Sequence, residues 1–157
     1  MGYYSVGMAC LNGHKIAGDA EGSPEFCEEF CSQCGERTIT QCPACKQNIR
    51  GYYQGEGFGL RWTLPAYCHS CGKAYPWTER KAEALGETIG ELDGLTDGER
   101  EKLKKAIPDI IADTPKSETA ALRFKKAITK VGKVGGKLLT DVLTNVATEA
   151  VKKAMGV

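Results

Sequence analysis

Three Cys-x-x-Cys pairs, Cys31/Cys34, Cys42/Cys45 and Cys68/Cys71, lie within one stretch of this chain. Two thiolates separated by two residues can grip a single ion from the same side. Glycine follows two of the pairs (Gly35, Gly72), where it lets the backbone turn sharply and aim amide N–H groups at the sulfurs, and Pro43 sits inside the third. A structural zinc site takes four protein donors in a tetrahedron. Six thiols are too many for one such site and too few for two, so the chain has to supply two more donors. Cys10 and His14 lie upstream, four positions apart, with Asn12-Gly13 as a turn between them.

Taken in chain order, the first site is Cys10, His14, Cys31 and Cys34, and the second is Cys42, Cys45, Cys68 and Cys71. The second set has zinc-ribbon spacing, a Cys-x-x-Cys pair repeated after a spacer holding two strand-like runs. Two alternatives stay open. Cys31/Cys34 could join Cys42/Cys45 and leave Cys10 and His14 to Cys68 and Cys71. Cys27, four residues before Cys31, could replace His14. His69 reads as a bystander at a loop tip. Hairpins between well-separated pairs favour zinc over an iron–sulfur cluster. None of the pairs opens a helix in an α/β setting, as a redox pair would. Closed four-donor sites leave no position for water or substrate, so the expectation is two zinc ions, no enzyme and no small-molecule substrate.

Eight cysteines would also suit a secreted disulfide scaffold. The start Met1-Gly2-Tyr3-Tyr4-Ser5 lacks the basic and apolar regions of a signal peptide, and Val6 stands where myristoylation wants Ser or Thr. No apolar run approaches the roughly 20 residues of a membrane span. The expected location is cytoplasmic, with thiols free for metal. The formal charge is +1, but it is unevenly spread. Between Ala17 and Glu36 every charged residue is acidic, and between Arg123 and Lys137 every one is basic.

Composition changes sharply after Trp77, which divides the chain into residues 1–78 and 79–157. The expected fold is a small metal-bound α+β protein, with an N-terminal double zinc ribbon of short β-hairpins followed by an α-helical region. Residues 37–40, 49–53 and 60–64 are β-prone, the last two joined by the glycine-rich turn at 55–59. The front half is small, so metal binding has to supply much of its folding energy. Behind it, a helix is expected from Thr78, as N-cap, to Leu92, with Ala82, Leu85, Ile89 and Leu92 on one face. A second starts near Thr96, where Glu99 completes a capping box, and Pro108 threatens to kink it. Ser117 then caps a long amphipathic helix reaching nearly to Met155. Its stripe is Phe124, Ile128, Val131, Gly135, Leu138, Val142 and Val146. Gly132, Gly135 and Gly136 mark either a bend or a close helix approach.

Tyr52, Tyr53, Phe58, Trp62, Tyr67, Tyr75 and Trp77 are interleaved with Arg50, Arg61 and Lys73. Such a set builds a small core, a protein-binding face or a stacking platform for single-stranded nucleic acid. The adjoining acidic run would repel phosphate. The leading expectation is a zinc-binding adaptor whose ribbon recognises a protein and whose helices dock a partner or self-associate. A nucleic-acid-binding regulator is the first alternative. The second is a membrane-surface effector that buries Phe124, Ile128 and Val131 in an anionic bilayer.

The strings Cys10-Leu11-Asn12-Gly13-His14, Phe30-Cys31-x-x-Cys34-Gly35, Cys42-Pro43-x-Cys45 and Ile49-Arg50-Gly51 resemble a family of small bacterial proteins of unknown function. The likeness continues through Tyr67-Cys68-His69-x-Cys71-Gly72 and Tyr75-Pro76-Trp77-Thr78, and the helical half with its Asp113-Thr114-Pro115 break is also similar. The resemblance implies two zinc-binding knuckle assemblies and a bacterial cytoplasmic setting. It supports His14 as a ligand and leaves Cys27 as an extra thiol.

Overall fold

Strand β1 (Tyr3–Val6) pairs antiparallel with the distant β5 (Arg50–Gln54), Tyr4 lying opposite Tyr53, with a bulge between Tyr4 and Val6. A three-stranded sheet in the order β3-β2-β4 comprises β2 (Met8–Cys10), β3 (Lys15–Ala17) and β4 (Thr38–Ile39). These pairings belong to a computed structural model that describes residues 1–55 and 62–157. Contacts divide the chain into two compact units, Met1–Glu79 and Arg80–Val157.

The β-prone run at 49–53 is therefore a strand at Arg50–Gln54, and among the described residues its partner is the N-terminal β1. Leu60, Arg61 and the turn residues 56–59 lie outside the described residues, and Trp62–Leu64 forms no strand. Trp62 instead enters a buried cluster with Ala9, Ile49, Tyr75 and Trp77 that also contains the Cys42 and Cys68 side chains. The Tyr75 and Trp77 rings stack 4.6 Å apart. Each indole satisfies its N–H on a backbone carbonyl, Trp62 on Arg50 at 2.8 Å and Trp77 on Pro65 at 2.9 Å. Three of the interleaved aromatics are thus core, while Tyr53 and Tyr67 remain exposed.

The second unit is built on α1 (Pro76–Glu91, begun in the first unit), α2 (Asp97–Ile111), α3 (Ser117–Lys130), α4 (Gly132–Val146) and α5 (Glu149–Met155). Helix α1 starts two residues before the expected cap. Pro76 opens it, as proline does well at a first helical position, and the buried Thr78 hydroxyl donates to the Ala66 carbonyl at 2.7 Å. Leu85 and Ile89 form its buried face, and Leu92 is buried just beyond its end. Thr96 and Glu99 cap α2 reciprocally, and the helix runs past Pro108 to Ile111.

The stretch expected as one long helix is three. Ser117 does not cap it; the Ser117 hydroxyl accepts from the Thr114 amide at 2.9 Å. Gly132 adopts a left-handed φ of +76°, which ends α3 and turns the chain into α4. Ala147, in extended conformation, ends α4. The turn at Gly132 also rotates the apolar stripe. Leu139 and Leu143 are fully buried, Val142 and Val146 of the expected stripe pack partly buried against the same core, and Leu138 is 49% exposed. Both glycine readings are realised. Gly132 bends the chain, and a Cβ on Gly136 would stand 2.7 Å from the Ile128 carbonyl oxygen, so α4 crosses α3 closely there. Helix α3 packs on α2, α4 and α5, with Phe124 fully buried and Ile128 and Val131 packed against the same core. Of the three residues expected to enter a bilayer, Phe124 is fully buried in protein, and Ile128 and Val131 are partly buried. Among the described residues no helix is long and apolar enough to cross a membrane.

Candidate metal centres

Each Cys-x-x-Cys pair sits in the same backbone loop. The amide of the first cysteine donates to a carbonyl five residues on: Cys31 to Glu36, Cys42 to Gln47 and Cys68 to Lys73, each at 2.8 Å. Its carbonyl accepts from the residue after the second cysteine, Gly35 at 2.7 Å, Lys46 at 2.9 Å and Gly72 at 2.9 Å. Those three residues all have positive φ, +72°, +64° and +71°. Antiparallel bridges close the loops at Phe30/Arg37, Gln41/Asn48 and Tyr67/Ala74. Cys10 and His14 bracket the β2–β3 turn, where the Cys10 amide donates to the His14 carbonyl at 3.1 Å.

These loops gather the donors into two groups, Cys10, His14, Cys31 and Cys34, and Cys42, Cys45, Cys68 and Cys71. Within each group all donor atoms lie within 4.8 Å of one another. The chain-order grouping is the one formed. Cys27 stands apart, its thiol 3.5 Å from the Ala20 carbonyl oxygen, and His69 is exposed. In the first group Cys10 Sγ is 3.4 Å from His14 Nδ1 and 3.8 Å from Cys34 Sγ, and Cys31 Sγ is 3.6 Å from the same nitrogen. In the second, Cys42–Cys71 and Cys45–Cys68 sulfur separations are 3.8 and 3.6 Å.

Spacing tests whether a metal fits. A tetrahedron with zinc–sulfur bonds of about 2.3 Å and zinc–nitrogen bonds of about 2.05 Å has edges of about 3.8 Å between sulfurs and about 3.6 Å between sulfur and nitrogen. The observed edges match both. They are far longer than a disulfide bond of about 2.05 Å, and every cysteine is free. Both groups could each hold one metal ion. Thiolate and imidazole donors are the set that suits zinc.

Electrostatics prepare the sulfurs. The amide of Glu36, helped by the Asn12 side chain at 3.5 Å, lowers the Cys34 thiol to about 6. The amide of Cys71, with that of Ser70, lowers Cys68 likewise to about 6. Burial raises Cys10. At Cys45 the Gln47 amide pulls downward, but desolvation and the neighbouring thiols outweigh it and raise the group to about 11. Each group thus contains one sulfur ready to meet a cation and one whose proton a cation must displace.

Tyr75, expected only as one of the interleaved aromatics, lies beside a donor of the second group. Its ring is fully buried, and among the described residues its hydroxyl makes no hydrogen bond of ordinary geometry, although the Cys68 sulfur lies beside it. Burial first, and then the Cys68 sulfur beside it, push its pKa up. A buried hydroxyl next to a sulfur with nothing else to bond fits a site whose sulfur is a metal-bound thiolate able to accept. In the sequence it stands among the interleaved aromatics and opens the Tyr75-Pro76-Trp77-Thr78 string, four residues after Cys71.

With both centres described, the family can be placed. The family described as "Uncharacterized protein conserved in bacteria (DUF2321)" matches residues 3–155. The chain belongs to this family. Its match spans both donor groups and all five helices, so the two centres and the helical unit lie within one family unit. No curated protein and no solved structure matches the chain.

Proposed function

We propose that this family member is a non-enzymatic, zinc-stabilised adaptor that acts in the cytoplasm. The observation that carries the reading is the presence of two separate four-donor groups, each with tetrahedral edge lengths. Bound zinc would supply structural cross-links between the loops that carry the donors. Four protein donors fill its shell, which leaves no position for a water nucleophile or a substrate. Cys10, His14, Cys31 and Cys34 would hold one ion, and Cys42, Cys45, Cys68 and Cys71 the other.

The recognition role rests on what the loops leave exposed. Tyr3, Phe26, Phe30 and Tyr53 are each more than half exposed in the first unit, a surplus of large apolar side chains for so small a unit. In the second, Leu122, Val134 and Leu138 are exposed and suit partner docking or self-association. Elemental analysis with native mass spectrometry tests the metal reading, which expects two zinc ions per chain. Fewer than two, or iron in their place, overturns it. Sedimentation across a concentration series and anisotropy with single-stranded DNA test the adaptor reading. Steeply salt-dependent DNA binding would replace it with the regulator reading.

A further inference from the structure

The second unit contains a cavity that the adaptor reading does not use. It opens between α2 and α3, with a volume of about 350 Å³. Its floor is apolar, made of the buried residues Leu95, Leu103 and Ala127. Its rim carries Lys102, Arg123 and Lys126, all exposed, and among the described residues none of the three has a carboxylate partner. The fourth cation of the lining, Lys130, is held by Glu99 at 2.6 Å. An apolar floor under three uncompensated cations is a mixed surface. Water solvates the rim well and the floor badly.

We propose that this cavity binds a small phosphomonoester carrying an apolar group. Such a phosphate carries about −1.5 to −2 charge near neutral pH, which complements three cations better than a carboxylate does. The Arg123 guanidinium can meet two phosphate oxygens at once, and the lysines act as point charges beside it. The apolar group covers Leu95, Leu103 and Ala127. The Glu99–Lys130 pair carries no net charge, so the phosphate is drawn to the three uncompensated cations. The volume lies at the lower end of the range of small-molecule pockets, roughly 300–1,000 Å³, and suits one ring or a short alkyl chain. This inference does not depend on what the metal centres hold.

The test is titration of the metal-loaded full chain with phenyl phosphate, followed by amide chemical shifts. Saturable shifts at Leu95, Leu103 and Ala127 are expected, with inorganic phosphate binding about tenfold more weakly at equal ionic strength because it leaves the floor bare. Arg123→Gln with Lys126→Gln should weaken phenyl phosphate about tenfold or more. The single change Lys102→Gln gives a smaller loss in the same direction. The control pair Lys105→Gln with Lys125→Gln removes the same charge from exposed positions outside the cavity and should leave binding unchanged. Shifts that never saturate overturn the proposal. So does equal binding of inorganic and phenyl phosphate, or an equal loss in both double variants, since either would reduce the site to a diffuse positive field.

Discussion

Replacing Gly72 by alanine isolates the backbone contribution of one loop to the second metal centre. Gly72 has φ +71°, and a Cβ built there meets nothing within 4 Å. No steric clash therefore adds to the conformational cost. Holding an L-residue in the left-handed region costs roughly 1–2 kcal/mol. Alanine also stiffens the unfolded chain, which returns about 0.4–1 kcal/mol. The net loss for Gly72→Ala is about 1 kcal/mol, a shift of roughly 4–8 °C in the melting temperature of a unit this size. The equivalent loop at Cys42/Cys45 supplies the opposite perturbation, because Lys46 occupies the same position at φ +64°. Lys46→Gly relieves that strain, adds back glycine's unfolded-state freedom, and gives up an exposed contact from the Lys46 ammonium to the Pro43 carbonyl at 3.1 Å. The balance is a gain of about 0.5 kcal/mol. Calorimetry of the metal-loaded chain reads both signs, and competition with a chelator reads them again as metal retention. An unchanged melting temperature for Gly72→Ala, or a lowered one for Lys46→Gly, would refute the claim that the loops share one strained geometry.

Removing ligands should separate the centres: Cys71→Ser should lose one metal ion and destabilise the first unit, His14→Ala should lose the other, and Cys27→Ser should keep both in native mass spectra. Tyr75→Phe should reduce metal affinity by roughly tenfold in chelator competition while leaving the metal-free chain as stable or more so, because the hydroxyl has a partner only when Cys68 is a bound thiolate. Gly136→Ala should cost roughly 1–3 kcal/mol in denaturant unfolding, since the added Cβ would lie 2.7 Å from the Ile128 carbonyl and force α4 away from α3. Hydrogen bonds from Lys130, and next from the Thr96 amide, hold the Glu99 carboxyl down from 4.5 to about 2. The contribution of a depressed carboxyl is complete above its ordinary value and lost as pH falls through the folded one. The Lys130→Gln variant should therefore differ from the parent above that window and converge with it as pH falls towards 2; an NMR titration of Glu99 should show its pKa rising in the variant.

The donor groups were legible because coordination chemistry fixes residue type and spacing together. Cys-x-x-Cys can face one ion only through a tight loop, and counting donors to four brings in Cys10 and His14. Strands β1 to β3 were not legible, because each is three or four residues long and Val6 and Cys10 find their partners at Arg50 and Thr38, far along the chain. Alternation over so few residues carries little signal. The break at Gly132 was marked as one of two outcomes, and a helix tolerates an isolated glycine at roughly 1 kcal/mol, so composition alone could not choose. What decides it is packing. The left-handed turn at Gly132 sets α4 so that Leu139 and Leu143 reach the core that holds Phe124, with Val142 packed against it and the expected Leu138 left exposed. The two units are therefore specified by different physics. In the first, eight donors fix the loop positions and two of them, Cys42 and Cys68, are part of the small core with Ile49, Trp62, Tyr75 and Trp77, so loss of metal should release the loops around Cys31, Cys42 and Cys68. In the second, burial around Phe124 needs no ion, so a chelator that melts the first unit should leave the helical signal of α2 to α5 standing. Simultaneous loss of both signals in one transition would show that the helices, too, rely on the metal centres.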